Sequence, residues 1–291
     1  MKYFNLILVF FFVIAIRLNA QQNYNITNLH NNELYINPAF AGIYNYTPII
    51  LSAQKANINL GRKTPQNQFF SANFQNKNYG IASCFFNNKY GNTSNTGASL
   101  IYSYHIYLNT DIKISFALAA QFAQFTIDQS NYIYFENEDP LIYGTGKESF
   151  LYPNADFGVL LYTNNYNIGL SSKGLLEPQI KLSENTNNYK VSRNYNFYAD
   201  YNFNFNKYKI KPMLFIEHSK NSLFNYIFNI KFLYENTYFI SIGNKNKYIS
   251  NIAFGLTIKG IIISYSYSYR FVNSNAFNNI HQIGLGININ K

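Results

Sequence analysis

The sequence predicts an all-β fold, a transmembrane outer-membrane antiparallel β-barrel of about fourteen strands. Three observations carry this reading. The first is a period of two. In 252–270, Ile252, Phe254, Leu256 and Ile258 alternate with Ala253, Gly255 and Thr257; then Ile261, Ile263, Tyr265, Tyr267 and Tyr269 alternate with Ser264, Ser266 and Ser268. Successive side chains of a strand point to opposite faces, so one face is bulky and the other small and hydroxylic. The phase flips at Lys259-Gly260, as a two-residue hairpin turn requires. The second is composition. Aromatic residues make up 19% of the 291 residues and charged residues only 12%, roughly half the usual charged share. The mean hydropathy is nevertheless slightly negative, which suits strands that face lipid on one side and water on the other. The third is loop length, taken up below.

From the N-terminus, Lys2, the apolar run Leu6 to Ile16 and the small residue at Ala20 read as a signal peptide over 1–20, cleaved to leave Gln21 first. The apolar run is too short for a membrane-spanning helix, and none of that length follows. No cysteine stands at the expected cleavage point, so the chain is not read as a lipoprotein; Cys84, the only cysteine, cannot form an internal disulfide. Residues 21–47 are polar and contain INPAFAG at 36–42. They read as a periplasmic N-terminal segment ahead of a barrel over 48–291.

Fourteen strands are expected at about 48–59, 66–75, 78–87, 94–108, 112–126, 151–163, 166–173, 191–205, 208–218, 223–234, 238–243, 247–258, 261–270 and 279–290. The turns at 76–77, 109–111, 164–165, 206–207, 235–237 and 259–260 are short and built from Asn, Asp, Gly, Glu, Thr and Lys. The connections between them, 60–65, 88–93, 127–150, 174–190, 219–222, 244–246 and 271–278, read as longer. Outer-membrane barrels place short turns in the periplasm and long loops outside. Charge placement agrees, since Lys113, Asp156, Asp200, Lys209, Lys211, Glu217, Lys231 and Arg270 all fall on the face away from the bulky residues. Lys55 is assigned to neither face. The last strand, with Ile283, Leu285, Ile287 and Ile289 outward, is expected to close the barrel.

The function classes excluded are several. A net charge of +10 is spread without a dense basic tract, so nucleic acid is not an expected partner. His30, His105, His218 and His281 have no metal-ligand spacing, and no nucleophile or phosphate-loop motif is present, so neither enzymatic activity nor a cofactor is expected. Lys113, Lys209, Lys211, Lys231 and Lys259 lie near or within short turns. They read either as a basic periplasmic rim that engages an acidic partner or as charges solvated at a wet mouth. Glu136, Glu138 and Asp139 make one long loop acidic, either for recognition or as ordinary surface.

INPAFAG, placed between a signal peptide and the first strand, resembles the opening motif of the PorP/SprF family, outer-membrane proteins of the type IX secretion system of Bacteroidota. NYGIASCFFNNKYGNTSNTGASLIYSYHIYL (78–108) and LYPNADFGVLLYTNNYNIGLSS (151–172) are similar to further family segments. His281-Gln282 stands where members commonly carry a His-Glu pair, and the Arg-Gln-Trp cluster of many members has no counterpart here beyond Lys55 and Arg62. The resemblance implies a non-enzymatic role supporting secretion or surface attachment of cargo such as adhesins used in gliding motility. The partners it implies are outer-membrane lipid, periplasmic and lipoprotein components of the machine, and the cargo. By motif match it points to Asn37, Pro38, Ala39 and Gly42. Pro38 fixes its backbone and Gly42 permits a conformation other residues avoid. The segment is expected to plug the lumen, to present a partner surface, or simply to lead into the first strand. A diffusion porin is the alternative reading of the barrel.

Overall fold

The computed structural model describes residues 29, 32–57, 64–128, 130, 146–180, 189–220, 224–271 and 279–290. The expected signal peptide, His30, Arg62 and the acidic loop residues Glu136, Glu138 and Asp139 lie outside them. A short helix α1 (Glu33–Ile36) and a 3-10 turn (Pro38–Phe40) precede the strands. The strands are β1 (Tyr46–Ala56), β2 (Gln66–Gln75), β3 (Tyr79–Tyr90), β4 (Thr93–Tyr107), β5 (Lys113–Asp128), β6 (Lys147–Tyr162), β7 (Tyr166–Lys173), β8 (Gln179–Ile180), β9 (Tyr189–Lys190), β10 (Asn194–Tyr201) and β11 (Phe203–Phe205). They continue with β12 (Tyr208–Ser219), β13 (Asn225–Tyr234), β14 (Tyr238–Lys245), β15 (Ile249–Ile258), β16 (Ile261–Arg270) and β17 (Asn279–Asn290).

Neighbours in sequence pair antiparallel, and β17 returns to β1 with Tyr46 opposite Asn290 and Ala56 opposite Ile280. β10 and β11 form one strand against β12, interrupted where Pro212 has no amide hydrogen to donate. β8 and β9 form a separate antiparallel pair, Gln179 opposite Lys190 and Ile180 opposite Tyr189. The result is a closed barrel of fourteen antiparallel strands. Each of the fourteen strands has a paired neighbour on both sides, as lipid demands because unpaired backbone groups there cost several kcal/mol each.

Side-chain alternation follows the expected parity. Ile252, Phe254 and Ile258 are exposed on the outside, while Ala253, Ser264, Ser266 and Ser268 are buried inside. Ile258 pairs with Ile261 across the Lys259-Gly260 turn, whose φ angles of +49° and +83° are those of a tight hairpin. The charged strand residues expected to face inward do so.

Loop lengths alternate less cleanly than expected. The 88–93 connection shrinks to the pair Gly91-Asn92, because β3 runs on through Asn87, Asn88 and Lys89 to Tyr90. The 244–246 connection likewise moves, because Asn244 and Lys245 belong to β14 and the turn is 246–248. Asn88 and Lys245 face the wet lumen, and Asn87, Lys89 and Asn244 stand outward near the strand ends, where the polar headgroup zone can solvate them. β1 starts two residues earlier than expected and Lys55 lies on its outward parity, beside Ala53 and Leu51.

Candidate functional site

The barrel encloses part of its own chain. Leu29, Asn32 and the run from Ile36 to Gly42 are buried within the lumen. The INPAFAG run builds its own compact turn. Asn37 is extended, with φ −146° and ψ 121°, and its Oδ1 accepts a hydrogen bond from the Ala39 amide at 2.8 Å. This caps the 3-10 turn that Pro38 begins with a preset φ. Gly42 ends the run at φ +73°, the left-handed region that favours glycine.

The wall then clamps the run at each step. Asn37 Nδ2 donates to the carbonyls of Val159 and Leu170, both at 3.1 Å, and so ties the plug to β6 and β7. Asn73 on β2 holds both sides of the motif's end: its Nδ2 donates to Phe40 O at 3.1 Å and its Oδ1 accepts from the Gly42 amide at 2.6 Å. Ser103 on β4 donates to Ala41 O at 2.7 Å. It also touches His105, whose other ring nitrogen lies 2.8 Å from the Tyr162 hydroxyl. Ser171 and Asn196 both donate to Ile36 O, at 2.8 and 3.1 Å. Lys173 donates to Tyr35 O at 2.8 Å and lies over the Tyr35 ring. Phe40 packs edge-on to Tyr198 with centroids 5.2 Å apart. Each buried bond here adds about 1 kcal/mol, and each would cost more if left half-made.

Such close seating needs a wall without side chains in places. Gly80, Gly158 and Gly169 face inward where the plug lies. A Cβ on Gly158 would overlap Asn37 Oδ1, and one on Gly80 would overlap Ala41 O. Ala82, Ala117 and Ala119 extend this small-residue wall, and all are buried against the plug. Above it a cavity of about 100 Å³ remains, lined by Tyr35, Phe86, Asn88, Asn154 and Lys173 among others.

All four motif residues, Asn37, Pro38, Ala39 and Gly42, therefore sit together in the plug. The five lysines do not form one ring. Lys211 on β12 and Lys231 on β13 are direct cross-strand partners on the inner wall. Lys211 Nζ is 3.3 Å from Asp200 Oδ2, and Lys231 lies over the Phe239 ring at 4.0 Å. Lys113 sits between the rings of Tyr107 and Tyr162, four strands round the barrel from β12. Lys209 faces inward near the Asn206-Lys207 turn, and Lys259 is exposed in its own turn. Sequence reasoning missed the clamping side chains Asn73, Ser103, Ser171, Lys173 and Asn196. The available signal was the cluster of inward glycines and alanines on β3, β5, β6 and β7.

Glu33 on α1 adds a titratable contact between plug and wall. Burial pushes its carboxyl above the usual carboxylate range, and the Lys211 and Lys231 ammonium groups pull it partly back. The seated plug thus favours the protonated form. That contribution is complete at low pH and is lost as pH rises through the raised value. The protection of residues 32–42, taken as the ratio of intrinsic to observed exchange rate, should accordingly fall as pH rises above the usual carboxylate range, and Glu33→Gln should flatten that dependence. A protection that is independent of pH in the native protein, or that falls equally in Glu33→Gln, would defeat this account. Among the described residues, no three His, Cys, Asp or Glu side chains are grouped so as to hold a metal ion.

Among solved structures, the CymD monoaromatic hydrocarbon channel superposes with a TM-score of 0.56 at 8% identity, over 91% of this chain and 94% of that one. A Pseudomonas aeruginosa FadL homologue gives 0.49 at 8% identity over 84% and 90%, and the KdgM porin gives 0.40 at 10% over 82% and 98%. At 8% identity the likeness to the CymD channel is one of fold alone, that of a β-barrel. No curated protein matches the sequence significantly. The family model described as "Type IX secretion system membrane protein PorP/SprF" matches residues 18–287, which take in the plug and every barrel strand but the last residues of β17. This chain therefore belongs to the PorP/SprF family of type IX secretion system membrane proteins.

Proposed function

We propose that this chain is a non-enzymatic outer-membrane part of the type IX secretion machine that supports secretion or surface attachment of specific cargo, such as adhesins of the gliding type. In this reading it is exported through a cleaved signal peptide at 1–20 and meets periplasmic and lipoprotein components of the machine at its short-turn end. The observation that carries it is the occupied lumen. A lumen filled by the chain's own clamped segment, with Asn37, Asn73 and Ser103 all engaged, serves poorly as a path for diffusing solutes. It serves well as a rigid platform. Lys209 and Lys259 at the short-turn end, with Lys113 at the same end four strands round the barrel from Lys209, supply positive charge that would steer an acidic partner surface.

The diffusion porin remains the second reading, because the fold is shared with channels. Surface proteomics of a deletion strain separates the two. The secretion role requires that at least one large surface or secreted protein disappear from the cell exterior and accumulate inside. A deletion that leaves the exterior proteome intact but slows uptake of a small solute would reverse the assignment.

A further inference from the structure

The outer wall carries a second organised surface, on the side where β17, β1, β2 and β3 meet. On the barrel strands among the described residues, the charged side chains of outward parity are Lys55, Lys89, Asp128 and Lys147. All four stand at the long-loop end. Asp128 and Lys147 are cross-strand partners of opposite charge. Lys55 and Lys89 have no such partner in register. They are held in one cross-strand row, His281–Lys55–Gln66–Lys89, by the pairing of four adjacent strands. The two lysines are two strand spacings apart, roughly 10 Å.

The next row towards the membrane centre is amide and hydroxyl on one side. There Asn87 Nδ2 donates to Gln68 Oε1 at 3.2 Å and Thr96 donates to Asn87 Oδ1 at 3.1 Å. The row below that is apolar throughout: Leu285, Leu51, Phe70, Phe85, Ala98 and Phe122. Four residues of tilted strand between the lysines and this row correspond to about 10 Å along the membrane normal. That places the ammonium groups at headgroup depth, above the hydrocarbon edge. The opposite wall has no counterpart. Its outward side chains near the same end are Tyr195, His218, Tyr226, Asn244, Ser250 and Tyr269, of which none is an amine or carboxylate.

We propose that the Lys55–Gln66–Lys89 row, with the Gln68–Asn87–Thr96 amide and hydroxyl groups beneath it, is a binding site for the phosphorylated headgroup of an outer-leaflet glycolipid. The outward parity makes lipid the material these side chains meet. Paired ammonium groups attract phosphate, and the amides and hydroxyl below them match sugar hydroxyls. The apolar row continues into the acyl chains. The site depends on the long-loop end facing the cell exterior and does not depend on the secretion role.

The test uses the full-length purified barrel and native mass spectrometry of retained lipid, with bisphosphorylated lipid A and its dephosphorylated form as probes. The wild type should retain the bisphosphorylated form preferentially, and the preference should fall as salt is raised. Lys55→Gln with Lys89→Gln should lower that retention about 25-fold, the product of a factor of about five per basic residue near an anionic surface. Heat-modifiable gel mobility should be unchanged, and Lys113→Gln, which faces inward, should retain lipid as the wild type does. Equal retention by the double variant, or equal retention of the dephosphorylated form by the wild type, overturns the proposal. Asn92→Cys, in the turn beside Lys89, should react with an impermeant maleimide on intact cells, against the silent background of buried Cys84. Failure to label would put this end in the periplasm and overturn the glycolipid assignment while leaving the secretion role standing.

Discussion

Gly158→Val should open the barrel. A side chain at this inward position of β6 would overlap Asn37 Oδ1 and press on the Pro38 ring. The strand itself loses nothing, since valine suits an extended backbone better than glycine. The lesion therefore falls on the plug. Asn37→Ala attacks the same contact from the other side. It removes two hydrogen bonds to Val159 and Leu170 and the cap on the Ala39 amide, at a cost of roughly 2–3 kcal/mol in docking. In planar bilayers the wild type should conduct little, whereas both variants should show long-lived open steps. Residues 32–42 should also become cleavable by protease in both. Variants that fold, as judged by gel mobility, and remain as silent and as protected as the wild type would show that the segment does not seal the lumen.

The strands could be read from the sequence because alternation is local. Each residue in 252–270 declares its face through its neighbours two positions away, and the structure returns β16 and β17 with the expected bounds. Lys55 was the exception, since small Ala53 and Ala56 beside it give no clear phase. The Asn-rich stretches at 88–93 and 244–246 read as loops because Asn is also a turn residue. At the end of a barrel strand, with the wet lumen on one side and the headgroup zone on the other, it can join the ladder. The plug was a different case. The motif marked Asn37, Pro38, Ala39 and Gly42 as a unit, but the acceptors of Asn37 lie 122 and 133 residues away. No window on the sequence holds both ends of such a contact. Its only trace was one-sided, a run of inward Gly80, Ala82, Ala117, Ala119, Gly158 and Gly169 that leaves room for something. The lysines show the same limit. Their inward parity is legible, but what each one faces is not: the sequence does not show that Lys211 meets Asp200 or that Lys231 lies over Phe239.

Asp200→Ala should be among the most destabilising single changes in the barrel wall. The Asp200 side chain has no exposed surface. It accepts from Asn167 Nδ2 at 3.0 and 3.1 Å and from the Tyr198 hydroxyl at 2.5 Å, and it faces Lys211 Nζ at 3.3 Å. Without it, Lys211 loses its counter-charge while standing directly opposite Lys231 on the same face, and like charges in that relation repel. Breaking a buried pair from one side costs about 3–5 kcal/mol. Lys211 keeps 18% of its surface, which argues for the lower end, near 3 kcal/mol. Replacing both partners is a different perturbation, because no uncompensated charge is left behind. Asp200→Ala combined with Lys211→Met should therefore recover most of the loss, and urea unfolding in lipid vesicles can read the difference. A single variant within about 1 kcal/mol of the wild type would mean that lumen water already screens the pair. In that case the pair would add little to the wall beside the plug, and the plug's seating would rest on the hydrogen bonds from Asn37, Asn73, Ser103, Ser171, Lys173 and Asn196.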